Sequence, residues 1–174
     1  MNRFKKPMKP LGSRLDTIFD SLLKNQDVWD FCCDHGLLGL RVYRSQEFKS
    51  IYFVDRVPQI MDKLENKFKQ RFLDPENLTN YQFILSDGEK VQQIVEGNMV
   101  IAGVGTPTTL EILKGLQSQG YLNAQRLILA PQNYHDRFLL GMKEHLGSLF
   151  NLTKTLEVEE SGRIRSIFIF DKSN

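Results

Sequence analysis

Apolar residues recur along this chain in two alternating rhythms. Leu15, Ile18, Phe19, Leu22 and Leu23 return at three- and four-residue steps, which predicts an amphipathic helix near the start. Five short runs rich in β-branched and aromatic side chains follow: Val28 to Phe31, Ile51 to Val54, Tyr81 to Leu85, Met99 to Ala102, and Leu127 to Ala130. Their shortness and continuous apolar character predict strands covered on both faces. Between them, helical spacing returns in Ile60, Met61, Leu64 and Phe68 after Pro58, in Leu110, Ile112, Leu113 and Leu116 after Thr106-Pro107, and in Phe138, Leu139, Met142 and Leu146 after Asn133. Both prolines suit the first turn of a helix. Strands that alternate with helices predict parallel pairing through right-handed crossovers.

The last part of the chain breaks that rhythm. Phe150 to Val158 and Ile164 to Phe170 are two strand-like runs separated only by Glu159 to Arg163, and a turn on Ser161-Gly162 would join them as an antiparallel hairpin. The expected fold is therefore α/β: a doubly wound, seven-stranded sheet of five parallel strands and a C-terminal antiparallel hairpin. It resembles the Rossmann-like sheet of class I methyltransferases rather than that of dehydrogenases, a likeness of fold that assigns no chemistry by itself.

Length and composition narrow the picture further. The 174 residues fit one domain, and 41% hydrophobic with 25% charged residues is the profile of a packed globular chain. No apolar run is long enough to span a bilayer, and the first residues lack the apolar centre of a signal peptide, so a cytoplasmic protein with no membrane partner is expected. Cys32 and Cys33 are neighbours, a poor geometry for a disulfide, and are expected as reduced thiols. The net charge of +2 is uninformative, but its placement is not: Arg3, Lys5, Lys6, Lys9 and Arg14 all precede the first acid, Asp16. This divides the chain into a basic arm, 1–14, and a domain, 15–174. The arm is either a solvated terminus or a segment that meets RNA phosphates.

In an open α/β sheet, ligands sit outside the carboxyl ends of the strands, so those ends carry the candidate chemistry. The first strand runs into Asp30-Phe31-Cys32-Cys33-Asp34-His35-Gly36-Leu37-Leu38-Gly39, a glycine-containing turn with Cys32 where a glycine is usual. The second ends at Asp55, where an acid commonly accepts ribose hydroxyls, and the third at Ser86-Asp87-Gly88, where an acid can accept from an adenine amine. Each acid alone is more often a cap or turn residue. Three at successive strand ends point to a nucleoside cofactor, while the absence of a P-loop argues against a nucleoside triphosphate. Cys32-Cys33-Asp34-His35 invites a metal reading, but adjacent residues point apart and no second Cys or His pair completes a tetrahedral site, so no metal is expected. His35 either touches the cofactor or braces the turn; His135 and His145 fall on the last predicted helix, as solvated or capping residues. The fourth strand ends in Ile101-Ala102-Gly103-Val104-Gly105-Thr106, which either opens space for a flat base or simply starts a helix capped by Thr106. Gln132 and Asn133, after the fifth strand, offer amides to a base edge, or Asn133 caps the last helix.

Together these residues resemble the bacterial tRNA (adenine-22 N1)-methyltransferase family. The likeness runs from Ser13-Arg14-Leu15 through Asp34-His35-Gly36, Asp55, Asp87-Gly88 and Ile101-Ala102-Gly103-Val104-Gly105 to Leu127-Ile128-Leu129-Ala130-Pro131. It implies an S-adenosylmethionine site lined by Asp30, Asp34, His35, Gly36, Asp55, Asp87 and Gly88, with Cys32, Arg56, Ala102 and Gly103 beside them. Gly103, Val104 and Gly105 would border the target base, with Gln132 and Asn133 as further catalytic candidates, and tRNA would be the partner. Departures lie at Leu37 and Gly39, where the family usually has Tyr and Pro, at Thr106 in place of a second glycine, in Ala130 to Asn133, and in Arg163 to Ser166. The resemblance is to a short form, without the C-terminal helical domain usual in the family. Two other functions fit the same residues: methylation of a small molecule or protein, and a noncatalytic RNA- or partner-binding module that kept the fold.

Overall fold

The computed structural model describes residues 11–73 and 76–173. Seven strands form one sheet: β1 (Val28–Phe31), β2 (Ser50–Asp55), β3 (Asn80–Leu85), β4 (Asn98–Ala102), β5 (Arg126–Ala130), β6 (Phe150–Glu160) and β7 (Arg163–Lys172). Their spatial order is β3-β2-β1-β4-β5-β7-β6. The first five are mutually parallel, and β7 inserts antiparallel between β5 and β6. All seven expected strands are present, each within a few residues of its expected span.

Continuous apolar runs form the central strands because both faces of the sheet are covered. Trp29, Phe31, Met99, Ile101, Leu127 and Leu129 point into one buried cluster, while Val28, Val100, Ile128 and Ala130, one residue out of step, point into the other. The first cluster is closed by α4 (Thr106–Ser118) and α5 (His135–Leu146), through Ile112, Leu113, Leu116, Phe138, Met142 and Leu146. The second is closed by α1 (Ser13–Asp20), α2 (Leu37–Ser45) and α3 (Pro58–Arg71), through Ile18, Leu38, Val42, Met61, Leu64 and Phe68.

Between β3 and β4, where the apolar spacing names no helix, there is a 3-10 turn, Gly88–Lys90. Two details differ from the sequence expectation. Helix α2 has no counterpart in it, because Leu37 to Gly39 read as part of a turn. Helix α1 begins at Ser13, inside the segment assigned to the basic arm, so Arg14 belongs to the folded domain. Arg3, Lys5, Lys6 and Lys9 lie outside the described residues.

The hairpin turn is the one expected. Glu160 pairs with Arg163, leaving Ser161 and Gly162 as a two-residue loop with φ of 54° and 73°. Positive φ at both positions matches the right-handed twist of the flanking strands. Among the described residues, no helix is long and apolar enough to cross a membrane.

Candidate cofactor and active site

Strand order reverses between β1 and β4, whose carboxyl ends therefore part and leave a crevice. Two adjoining cavities fill it. One, of about 450 Å³, is lined by Asp55, Arg56, Asp87, Gly88, Val104 and Ile112 among others; the second, of about 360 Å³, by Arg14, Asp30, His35, Leu38, Ala102 and Gln132 among others. Cys32, Asp34 and Gly103 line both, so the two form one elongated cleft. A larger hollow of about 770 Å³ lies between α4 and α5. It holds none of the strand-end acids, and size alone does not make it the site.

The turn after β1 is shaped by backbone conformation. Cys32, Asp34 and Gly36 have φ of 57°, 48° and 64°, the left-handed region that costs an ordinary residue roughly 1–2 kcal/mol. This accounts for the glycine usual at position 32, and a strained turn of this kind is typical of ligand-binding segments. Gly36 and Gly39 serve close packing. Neither lines the cleft, and a side chain at Gly39 would come within 2.3 Å of the Phe53 ring while one at Gly36 would come within 2.7 Å of Leu64. They let α2 and its turn pack closely on β2 and α3.

Asp55, at the end of β2, is buried and secures the neighbouring loops. Its Oδ2 accepts from the Asp34 backbone N–H at 3.1 Å, and its Oδ1 from that of Val57 at 3.0 Å. A carboxylate offers about four acceptor positions, so two remain for ligand hydroxyls on the side that lines the cleft. Asp30 is more deeply enclosed. Burial pushes its carboxyl from an ordinary 3.8 up to about 7, the Asp55 charge adds to this, and the Gly39 N–H, which donates to Asp30 Oδ2 at 3.3 Å, opposes it. Asp87 is the open member: Lys90 bonds its Oδ2 at 2.7 Å and holds its carboxyl below the usual range.

The surroundings of both thiols favour the neutral form. Burial raises Cys32 to about 11, with Asp55 and Asp30 adding to the effect, and Cys33 is pushed higher still, so both stay neutral near pH 7. His35 is exposed and bonds its neighbour Asp34 at 2.7 Å, bracing the turn.

On the far side of the cleft, Gly103 has φ of 81°, a conformation that favours glycine. The Gln132 side-chain amide donates to the Gly103 carbonyl, and the Gln132 backbone N–H donates to the Val104 carbonyl at 2.9 Å, fastening the ends of β4 and β5 together. Gly105 and Asn133 do not line the cleft. They stand beside each other, and Thr106 donates its hydroxyl to the Asn133 carbonyl instead of capping α4. Residue Tyr134, with φ of 54°, takes the cap position of α5 expected for Asn133. His135 bonds the Pro131 carbonyl at 3.1 Å, a structural role.

Of the expected site residues, the cleft thus gathers Asp30, Cys32, Asp34, His35, Asp55, Arg56, Asp87, Gly88, Ala102, Gly103, Val104 and Gln132. Arg14 belongs with them, which charge placement along the chain could not show. Among the described residues no group of acids, histidines and cysteines is arranged to hold a metal ion.

The fold recurs in solved structures of low sequence identity. The M1A22 tRNA methyltransferase TrmK of B. subtilis superposes with a TM-score of 0.78 at 16% identity, covering 95% of this chain and 68% of that one. TrmK of M. capricolum, solved with S-adenosyl-homocysteine, gives 0.76 at 17% identity, covering 93% and 69%. An rRNA methylase from Streptococcus thermophilus gives 0.65 at 15% identity and covers 97% and 99%. No curated protein matches the sequence. A family model described as a methyltransferase domain does match, over residues 11–168. That span runs from before α1 into β7 and leaves no element of the sheet outside it, so the chain belongs to the methyltransferase domain family.

Proposed function

We propose that this chain binds S-adenosylmethionine along the cleft and methylates N1 of an unpaired adenine in tRNA. The observation that carries the reading is the meeting of Asp30, Asp55 and Asp87, acids from three successive strand ends, in one cleft. Asp55, with two acceptor positions left, suits the ribose hydroxyls, and Asp87 beside Gly88 suits the adenine amine. The TrmK structures support this choice of cofactor and substrate. When bound, the cofactor supplies an electrophilic methyl group.

Adenine N1 carries its own lone pair, so the protein need not supply a strong base. Its task is to align the base, a matter of proximity and orientation. Gly103 and Val104 leave an open wall where a flat ring can lie, and Gln132 keeps that wall in place through the Gly103 carbonyl. An N1 inside a base pair is inaccessible, so the target is unpaired or turned out of its helix. Free Cys32 and Cys33 fit the reducing cytoplasm.

The test is incubation with labelled S-adenosylmethionine and total tRNA, followed by nucleoside analysis. Label in 1-methyladenosine is expected. Label in a protein or small molecule would replace the substrate, and a chain that fails to bind S-adenosylhomocysteine would overturn the cofactor and leave a noncatalytic module.

A further inference from the structure

We infer that Arg14 is the counter-ion of the carboxylate at the amino-acid end of the cofactor, an inference that rests on the proposed cofactor. Among the described residues, the smaller cavity is lined by two carboxylates, Asp30 and Asp34, and by one guanidinium, that of Arg14, with no lysine and no other arginine. A ligand group that meets acids on one side and a fixed cation on the other has to carry both charges itself. The amino-acid end of S-adenosylmethionine does, with an α-ammonium and an α-carboxylate. The adenosine end does not, and it matches the larger cavity with Asp55 and Asp87.

Arg14 is held for this purpose from outside the cavity. Its Nε lies 3.1 Å from Glu160 Oε2 at the tip of β6, yet makes no hydrogen bond among the described residues, so the pair fixes the guanidinium chiefly by charge. Ser13 donates its hydroxyl to the Glu159 carbonyl, which seats the start of α1 on the same strand end. The other end of the guanidinium reaches the cleft: Nη1 lies 3.7 Å from where a β-carbon on Gly103 would stand. Only a fifth of the Arg14 side chain is exposed, so an anion that reaches it is partly desolvated and the pairing is stronger than on an open surface. Guanidinium geometry also suits a two-point grip on a carboxylate. An RNA phosphate would have to enter the cleft to meet it.

The experiment compares ligands that share the adenosine and differ at the other end. S-adenosylhomocysteine, its decarboxylated analogue and 5′-methylthioadenosine are titrated calorimetrically into the parent chain, Arg14→Gln and Arg14→Lys. The parent should prefer S-adenosylhomocysteine over the decarboxylated analogue by about 10- to 100-fold, the range for a hydrogen bond to a charged group. Arg14→Gln should lose most of that preference while binding 5′-methylthioadenosine as the parent does, and Arg14→Lys should keep part of it. A parent with no preference overturns the inference without any mutant. Equal loss of all three ligands in Arg14→Gln also overturns it, since Arg14 would then support only the fold. A parent that binds none of the ligands overturns the proposed cofactor as well, which separates the two failures.

Discussion

Asp55 Oδ2 accepts the backbone N–H of Asp34 at 3.1 Å, so the acid that ends β2 also holds the turn that follows β1. Cofactor binding and local order therefore share one side chain. Asp55→Ala should weaken binding of S-adenosylhomocysteine by roughly 2–4 kcal/mol, because charge-assisted bonds to two hydroxyls are lost. The sequence alone suggests a mutant of unchanged stability; the two backbone bonds of Asp55 change that expectation to a further loss of about 1–3 kcal/mol in folding. Titration calorimetry and thermal melting read the two effects separately. Unchanged affinity in a folded variant would remove Asp55 from the site.

Asp87 should discriminate the purine. In Asp87→Asn one acceptor remains but a donor face is added, and Lys90 loses its partner. Preference for S-adenosylhomocysteine over S-inosylhomocysteine should fall on the order of tenfold, as expected for one bond to a charged acceptor. Competition binding with the two ligands measures it. Equal preference in parent and variant assigns the amine to another group.

Asp30 should make stability and cofactor binding depend on pH in opposite directions. Its folded carboxyl titrates near 7 rather than 3.8, so between about pH 4 and pH 7 the folded state holds a proton that the unfolded chain has lost. Stability from this group is complete below pH 4 and is lost as pH rises through 7, by at most on the order of 4 kcal/mol. A ligand ammonium favours the ionised carboxylate, so affinity for S-adenosylhomocysteine should rise from pH 6 to pH 8. Denaturant melts and titrations across that range, with Asp30→Asn as the control, check both slopes. An Asn variant that retains the parent's slopes would assign them to another group.

The basic arm should contribute RNA affinity and no cofactor affinity. Changing Arg3, Lys5, Lys6 and Lys9 to Gln should flatten the slope of log affinity against log salt by up to roughly 3, at about 0.7 per phosphate contact on a single strand. Binding of tRNA at several salt concentrations tests this, with S-adenosylhomocysteine binding as control. An identical slope would make the arm a solvated terminus.

The sheet was legible because its central strands are covered on both faces, and such burial writes itself as short apolar runs. The acids at the strand ends stood out by their number: each alone is more often a cap or turn residue, but three at successive strand ends point to one ligand. Helix α2 was not, because Gly36 and Gly39 look like a loop until Phe53 and Leu64 are seen pressing against them. The same tertiary packing makes these two glycines spacers between helix and sheet. Gly105 and Asn133 are candidates by sequence, but the Thr106 hydroxyl ties their loops together away from the cleft. Arg14 was read as part of a basic cluster, since a pairing with Glu160 cannot be seen from its sequence neighbours.

Ser13 and Arg14 find their partners in Glu159 and Glu160, contacts that join residues 146 positions apart. During synthesis Arg14 emerges long before the strand that fixes it exists. The wall of the smaller cavity is thus complete only once β6 is in place, a contact of large sequence separation whose loop-closure cost must be met first. A nascent chain stalled before β6 would hold α1 without that anchor, and ligand capture at the amino-acid end would wait for the hairpin to arrive.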